Sequence, residues 1–279
     1  MPSTTKDIAP EDGRGWLRRA ARVGYFARGL VYMIIGYFAF RAAFATGSAL
    51  DSKDAIEVIA GAGFGSILLI VTILGLFAFA AWRVIQAIWD IDDHGSGLKG
   101  YGVRAGMLVS AIATAALALY AVTLLTGFSV GGGGEGDGGG AKAGVIAYAY
   151  EQGYGLWLTY LVAAGIAAAA IGYMVKGIMA KFEEYMSIPQ DKRWILKPVC
   201  QFGLVARSAV FLVIAGLLVT GASGYSKGDT PGVHSALVEI SSWSYGWLLL
   251  ALTGLGLIAF GISAFTEGAY RRIILPDEA

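Results

Sequence analysis

Charge is scarce in this chain, and so are the residues on which most catalysis runs. Of its 279 residues, 15% are Asp, Glu, Lys or Arg, where a water-soluble domain carries roughly 25%. A single cysteine, Cys200, excludes an internal disulfide and a cysteine-built metal site. The two histidines, His94 and His234, fall on opposite sides of the topology derived below and cannot share a metal. Strict apolar/polar alternation is also missing, which excludes a transmembrane barrel. What is abundant is apolar length: 56% of the residues are hydrophobic and mean hydropathy is +0.63.

Six windows reach the roughly 20 apolar residues that a hydrocarbon core demands: 26–45, 65–89, 105–126, 155–175, 205–222 and 246–266. Each satisfies its own backbone as a helix, as lipid requires. The first resembles a signal peptide at Ala43-Phe44-Ala45, but its apolar run is long and recurs later, so it is expected to be retained. Basic residues sort to one side: Lys6, Arg14, Arg18, Arg19 and Arg22 before the first span, Lys99, Lys181, Lys192, Arg193 and Lys197 in two connections, and Arg271 and Arg272 at the end. The opposite loops hold Lys53, Lys142 and Lys227 among many more acids. Positive charge marks the cytoplasmic side, so both termini are expected inside. Trp16 and Leu17 among the first arginines predict an interfacial segment over 15–25.

The chain repeats itself. Gly24-Tyr25-Phe26-Ala27-Arg28 is echoed by Gly100-Tyr101-Gly102-Val103-Arg104 and Gly203-Leu204-Val205-Ala206-Arg207. The following span of each unit carries an aromatic-Gly pair, a glycine ten positions on and an alanine three further: Gly65, Gly75 and Ala78; Gly155, Gly165 and Ala168; Gly246, Gly256 and Ala259. These small residues are predicted to sit where helices pack, because membrane helices approach closely only over small side chains. The expected fold is all-α, six transmembrane helices as three tandem two-helix repeats around a pseudo-threefold axis along the membrane normal. The units read as a tail at 1–21, repeat 1 at 22–94, repeat 2 at 95–183 with a glycine-rich outer loop at 127–142, a cytoplasmic linker at 184–199, repeat 3 at 200–272 and a tail at 273–279. Segments 52–60, 141–150 and 233–241 read as short amphipathic helices lying on the outer face.

Arg28, Arg104 and Arg207 are the sharpest site candidates. Each lies about one turn inside its span, where it can snorkel to headgroups or join a basic ring near the axis. Guanidinium is a planar fork that matches phosphate bidentately. Gln86, Lys176 and Glu267 occupy one equivalent position of the second helices, with Arg83 close by, so a polar layer of net positive charge is expected at one depth. Gly127-Phe128-Ser129-Val130-Gly131 fits Gly-x-Ser-x-Gly but follows a membrane helix rather than a strand, and a glycine run follows it. Gly134-Glu135-Gly136-Asp137-Gly138-Gly139 fits Gly-x-Gly-x-x-Gly only as any glycine run does. No nucleophile and base, metal set or cofactor motif falls on one side, so no enzyme and no cofactor is expected. Trp82, Trp89, Trp243 and Trp247 read as interfacial belts.

On Gly24-Tyr25-x-Ala27-Arg28-Gly29, Ala206-Arg207 and the recurring aromatic-Gly series, the chain resembles the bacterial integral membrane proteins grouped as domain of unknown function 1206. The resemblance covers roughly residues 22–272 and implies three two-helix repeats in a bacterial cytoplasmic membrane, without lending an activity. Repeat 2 departs from it at Val103-Arg104-Ala105. The expected role is binding or passage of a small anion or anionic lipid headgroup at the arginine layer. The alternative is a structural or assembly protein whose protein partner docks on the outer face. Inner-leaflet anionic lipids are the expected membrane partners, and no nucleic acid is expected. Topology has a direct check: in intact cells Lys142→Cys reacts with an impermeant thiol reagent while Cys200 stays unlabelled, and the reverse pattern inverts the orientation.

Overall fold

The computed structural model describes residues 11–44, 52–92, 95, 97–127, 154–221 and 233–272. Among them the chain forms eight α-helices: α1 (Glu11–Ala42), α2 (Ser52–Ala60), α3 (Gly65–Trp89), α4 (Leu98–Thr126), α5 (Gly155–Ile178), α6 (Gln190–Gly221), α7 (Val233–Ser242) and α8 (Gly246–Tyr270). A 3-10 turn, Lys181–Tyr185, joins α5 to α6. Helices α1, α3, α4, α5, α6 and α8 are long and apolar enough to cross a membrane. The protein is an all-α, multi-pass membrane protein. The expected outer segment 141–150 and most of the glycine-rich loop at 127–142 lie outside the described residues.

Three expectations need correction here. The basic-aromatic stretch at 15–25 is not a separate interfacial element, because α1 runs unbroken from Glu11. The linker expected at 184–199 is helical from Gln190, with Pro198 inside α6. Pro198 withdraws one helical donor beside the exposed Trp194. Finally, α2 and α7 bury their apolar sides in the bundle rather than in the membrane interface. Ala55 and Ile56 of α2 and Ala236 and Leu237 of α7 are fully buried in one core with Ile35, Leu69, Ile214 and Leu257. Their apolar sides turn inward and stopper the bundle at the end opposite the termini, which we term the cap end.

The six long helices pack in a ring. Helix α1 lies against α8, α8 against α6 and α6 against α5; on the other flank α1 lies against α3 and α3 against α4. This alternation of contacts within and between hairpins is what three hairpins about one axis produce. The ring is open at one place, since α4 and α5 touch only marginally although both belong to repeat 2. Only 17% of the apolar windows of α4 and α5 is buried, against 44% to 56% in the other four.

Glycine explains where the ring is tight. A Cβ on Gly24 would stand 2.6 Å from the backbone nitrogen of Phe79, and Gly203 meets Phe260 in the same way. Gly75 faces the Cβ of Ala27, as Gly256 faces that of Ala206. Gly65 and Gly246 abut the ends of α2 and α7. Repeats 1 and 3 are thus built on the same contacts. In repeat 2 the counterpart Gly165 has nothing near it and both Gly165 and Ala168 are exposed, so the expected packing role does not hold there. Ala78 and Ala259 are half-buried and buried.

A second glycine series closes the ring. Gly29 and Gly36 of α1 meet Gly254 and Gly261 of α8, all at seven-residue spacing, and a Cβ on Gly254 would reach 2.5 Å from the nitrogen of Phe40. Gly254→Leu is therefore expected to destabilise the protein by about 1–3 kcal/mol through overpacking. Gly165→Leu should stay within about 0.5 kcal/mol of the parent, as an open surface position does. Thermal denaturation in detergent, followed by circular dichroism, compares the two.

Candidate functional site

The shared glycine contacts of repeats 1 and 3 place two aromatic rings, Phe79 and Phe260, one helical turn beyond Gly75 and Gly256. Arginines from the first helices stack on them. The Arg28 guanidinium stands 4.9 Å from the Phe79 ring, 5.0 Å from Phe260 and 5.8 Å from Tyr32. That of Arg207 stands 4.4 Å from Phe260, 4.7 Å from Phe211, 4.8 Å from Tyr173 and 5.0 Å from Tyr32. Arg83 of α3 joins them 5.1 Å from Phe79. Two arginines from different repeats thus share the rings of Tyr32 and Phe260, which draws like charges together.

These are not snorkelling side chains. Arg28 and Arg207 are each 7% exposed and Arg83 is 9% exposed. Among the described residues, Arg28 Nη2, Arg83 Nε, and Arg207 Nε and Nη1 are buried without a hydrogen-bond acceptor. Aromatic faces contribute about 0.5–2 kcal/mol per cation, but they do not accept the guanidinium N–H groups in plane. Gln86 is 1% exposed, and its Oε1 is likewise buried without a donor.

The expected third arginine is elsewhere. Arg104 is half-buried, and its Nε and Nη2 donate to the carbonyl oxygens of Ala87 and Ile88, the last turn of α3. A cation there satisfies orphan carbonyls and meets the negative end of the helix dipole. The cause lies in its neighbours. Where repeats 1 and 3 have Phe79 and Phe260, repeat 2 has Ala169; where they have Tyr32 and Phe211, it has Leu108. With only the ring of Tyr101 on its own helix nearby, 5.7 Å away, Arg104 turns to the neighbouring helix end. Gln201 does the equivalent work for α5, donating 3.0 and 3.1 Å to the carbonyls of Gly177 and Ile178.

Lys176 of α5 and Glu267 of α8 are half-buried and complete the layer. Among the described residues Glu267 closes no ion pair with Lys176 or Arg271. Arg28, Arg83, Lys176 and Arg207 thus bring four cations to the layer and Glu267 one carboxylate.

A belt closes this chamber on the termini side. Asp90 takes a left-handed conformation at the end of α3 (φ 48°), the turn that sets Asp92 beneath the layer. One Nη of Arg271 donates to both oxygens of Asp92, at 2.8 and 2.9 Å, and Gln86 Nε2 donates to the same carboxylate at 2.9 Å. Arg271 also pairs through its backbone with Met186, and its guanidinium stands 5.6 Å from both Tyr25 and Tyr185. Lys176 Nζ stands 5.2 Å from the Tyr185 ring. Farther out, Glu183 accepts from Arg193 Nε at 2.7 Å and Lys197 Nζ at 3.1 Å; the Arg193 hydrogen bond is the main pull holding its carboxyl below the usual range.

The sequence puts Arg28, Arg104, Arg207, Arg83, Gln86, Lys176 and Glu267 in one layer, and of these Arg104 sits apart on the end of α3. Sequence reasoning misses the aromatic rings that gather the arginines, and the Arg271–Asp92 clamp. Trp82, expected in an interfacial belt, is instead 1% exposed in the cluster with Tyr25 and Phe79, while Trp89, Trp243 and Trp247 are about half exposed. The signal for the rings was their position four residues after Arg28, Arg207, Gly75 and Gly256.

Comparison with known proteins follows the same division. The family model described as Domain of Unknown Function (DUF1206) matches residues 23–90 and 202–271, the spans of the first and third repeats. The Uncharacterized protein YxxB of Bacillus subtilis (strain 168) is 33% identical over 266 residues, covering 94% of each chain. No solved structure matches the chain.

The clamp carries a prediction. Asp92→Asn strands the Arg271 guanidinium, which is 6% exposed as a residue, and is expected to cost about 3–5 kcal/mol, as the loss of one member of a buried ion pair does. Asp92→Asn with Arg271→Met should recover part of that loss in a denaturation series. Full additivity of the two changes would show that the residues do not act as a pair.

Proposed function

We propose, from the premise that this chain belongs to the DUF1206 family and that the family's description carries no activity to inherit, that the chamber is a non-catalytic binding site for a phosphate-bearing anion. The orientation that goes with this reading puts both termini and the arginine layer on the cytoplasmic side of a bacterial inner membrane, following the distribution of Lys and Arg.

One observation supports the reading above all: three arginines more than nine-tenths buried, with N–H groups that no acceptor among the described residues takes up. Burying an uncompensated cation is among the costliest acts in a protein interior, and gathering several compounds the cost by repulsion. An anion with several oxygens reverses both terms, since charge-assisted hydrogen bonds to guanidinium are short and strong. Glu267 and the Oε1 of Gln86 then serve as acceptors for donors elsewhere on the same molecule.

Binding is favoured over passage. Between the arginines and the cap end the axis is filled by Val31, Ile35, Ile73, Ile214, Leu218 and Leu257, with Ile56 and Leu237 above, and no polar relay interrupts that packing among the described residues. A partner docking on α2 and α7 is disfavoured by the inward use of their apolar sides.

Arg28→Met with Arg207→Met separates a binding site from a mere anchor. In detergent without added anion, the double variant should melt higher than the parent, because an unpaired buried charge has been exchanged for an apolar chain of similar length. Thermal stabilisation by inorganic phosphate or by phosphatidylglycerol should fall by about tenfold or more in apparent affinity, as the loss of two charge-assisted contacts implies. A lower melting temperature together with unchanged ligand stabilisation would make the arginines anchors.

A further inference from the structure

The occupant's route is written in the one seam that fails to close. The cap end is stoppered by α2 and α7 over a continuous apolar core. The termini side is crossed by the belt of Phe182, Tyr185, Met186 and Arg271, fastened at Asp92. Around the ring, five of the six helix pairs are tightly packed and only α4 and α5 stand apart. The chamber's remaining side therefore faces hydrocarbon.

The lining of that slot can be identified by equivalence. In repeats 1 and 3 the Gly75 and Gly256 sides of α3 and α8 press on Ala27 and Ala206 of the same hairpin. In repeat 2 the equivalent side of α5, carrying Gly165, Ala168, Ala169 and Gly172, should meet Val103 of α4. It meets nothing: Gly165 and Gly172 of α5 and Gly106 of α4 have open space where a Cβ would stand. Valine in place of alanine at position 103 adds two methyl groups at the contact where the other hairpins have none to spare. At the termini end of the stripe, next to Gly172, lies Tyr173. The nine-tenths-buried Arg207 rests on its ring at 4.8 Å, with Nε and Nη1 unpartnered.

We infer that the anion site takes a membrane phospholipid, its phosphate on Arg28 and Arg207 and one acyl chain laid along the small-residue side of α5 in the slot between α4 and α5. This rests on the binding reading above and names the source of its ligand. A glycerol headgroup suits the chamber best, because its hydroxyls can donate to Glu267 and to Gln86 Oε1. A soluble anion would need the belt to open. A second copy of the chain filling the slot would bring apolar surface but no acceptor for the arginines.

Native mass spectrometry of delipidated protein in detergent decides the matter, with dioleoyl phosphatidylglycerol and glycerol 3-phosphate as probes. The lipid should bind at least about tenfold more tightly than glycerol 3-phosphate. Gly165→Trp, which fills the slot, should weaken lipid binding by about tenfold and leave glycerol 3-phosphate unchanged. Should that variant not fold, Ala168→Leu makes the same test with a smaller side chain. Equal affinity for the two probes, or lipid binding indifferent to the slot variants, overturns the acyl-chain route while leaving the anion site standing. A parent that runs as a dimer and a Gly165→Trp variant that runs as a monomer overturns it in favour of a contact between copies. Undiminished binding of both probes by the Arg28→Met, Arg207→Met protein removes the anion site itself.

Discussion

Backbone proximity bought by the absence of a side chain is the constraint from which the rest of this structure follows. In lipid there is no hydrophobic drive to press one apolar helix onto another, so association depends on how closely the helices fit. Here fit comes from glycine opposite backbone: Gly24 on Phe79, Gly203 on Phe260, Gly36 and Gly254 across α1 and α8. Because these contacts recur in repeats 1 and 3, Phe79 and Phe260 project at the same depth. The arginines one turn inside α1 and α6 then find aromatic faces rather than headgroups. A packing rule thus sets an electrostatic outcome, and the charged layer exists because the helices above it are so close.

The same rule accounts for the asymmetry. Repeat 2 carries Val103 where its siblings have alanine, Ala169 where they have phenylalanine, and Leu108 where they have an aromatic ring. Each substitution is modest alone. Together they remove the small residue that allows the hairpin to close and the rings that would hold its arginine, so Arg104 serves as a cap for α3 and the hairpin stands ajar. The family model's coverage of the first and third repeats follows the portion of the chain that keeps the shared contacts.

Much of this was legible in the residues. The six spans come from apolar length, and α3 occupies the window 65–89 because Phe64-Gly65 and the polar Asp90 bracket it sharply. The polar layer was readable because equivalent positions in a repeat share a depth. Three things were not. Whether an arginine one turn deep points outward or inward depends on aromatic neighbours from other helices, as Arg28 and Arg104 show by doing opposite things. The amphipathic pattern of α2 says that one side is apolar, not whether that side meets lipid or the bundle mouth. The α1–α8 seam joins elements more than two hundred residues apart, and only its seven-residue glycine spacing, Gly29 to Gly36 and Gly254 to Gly261 to Gly268, hinted at it.

That seam also imposes an order of events. Of the six helices in the ring, α1 is made before the others and α8 after them, so α1 enters the bilayer long before the surface it is shaped for exists. Until α8 emerges, Gly29 and Gly36 face lipid and Arg28 lacks the Phe260 ring. The earlier spans can pair α1 with α3 and α3 with α4 as they arrive, but the circle has no final shape until α8 has been made. A ribosome halted before α8 would leave an open arc in which Arg28 has the Phe79 ring but neither Phe260 nor Glu267.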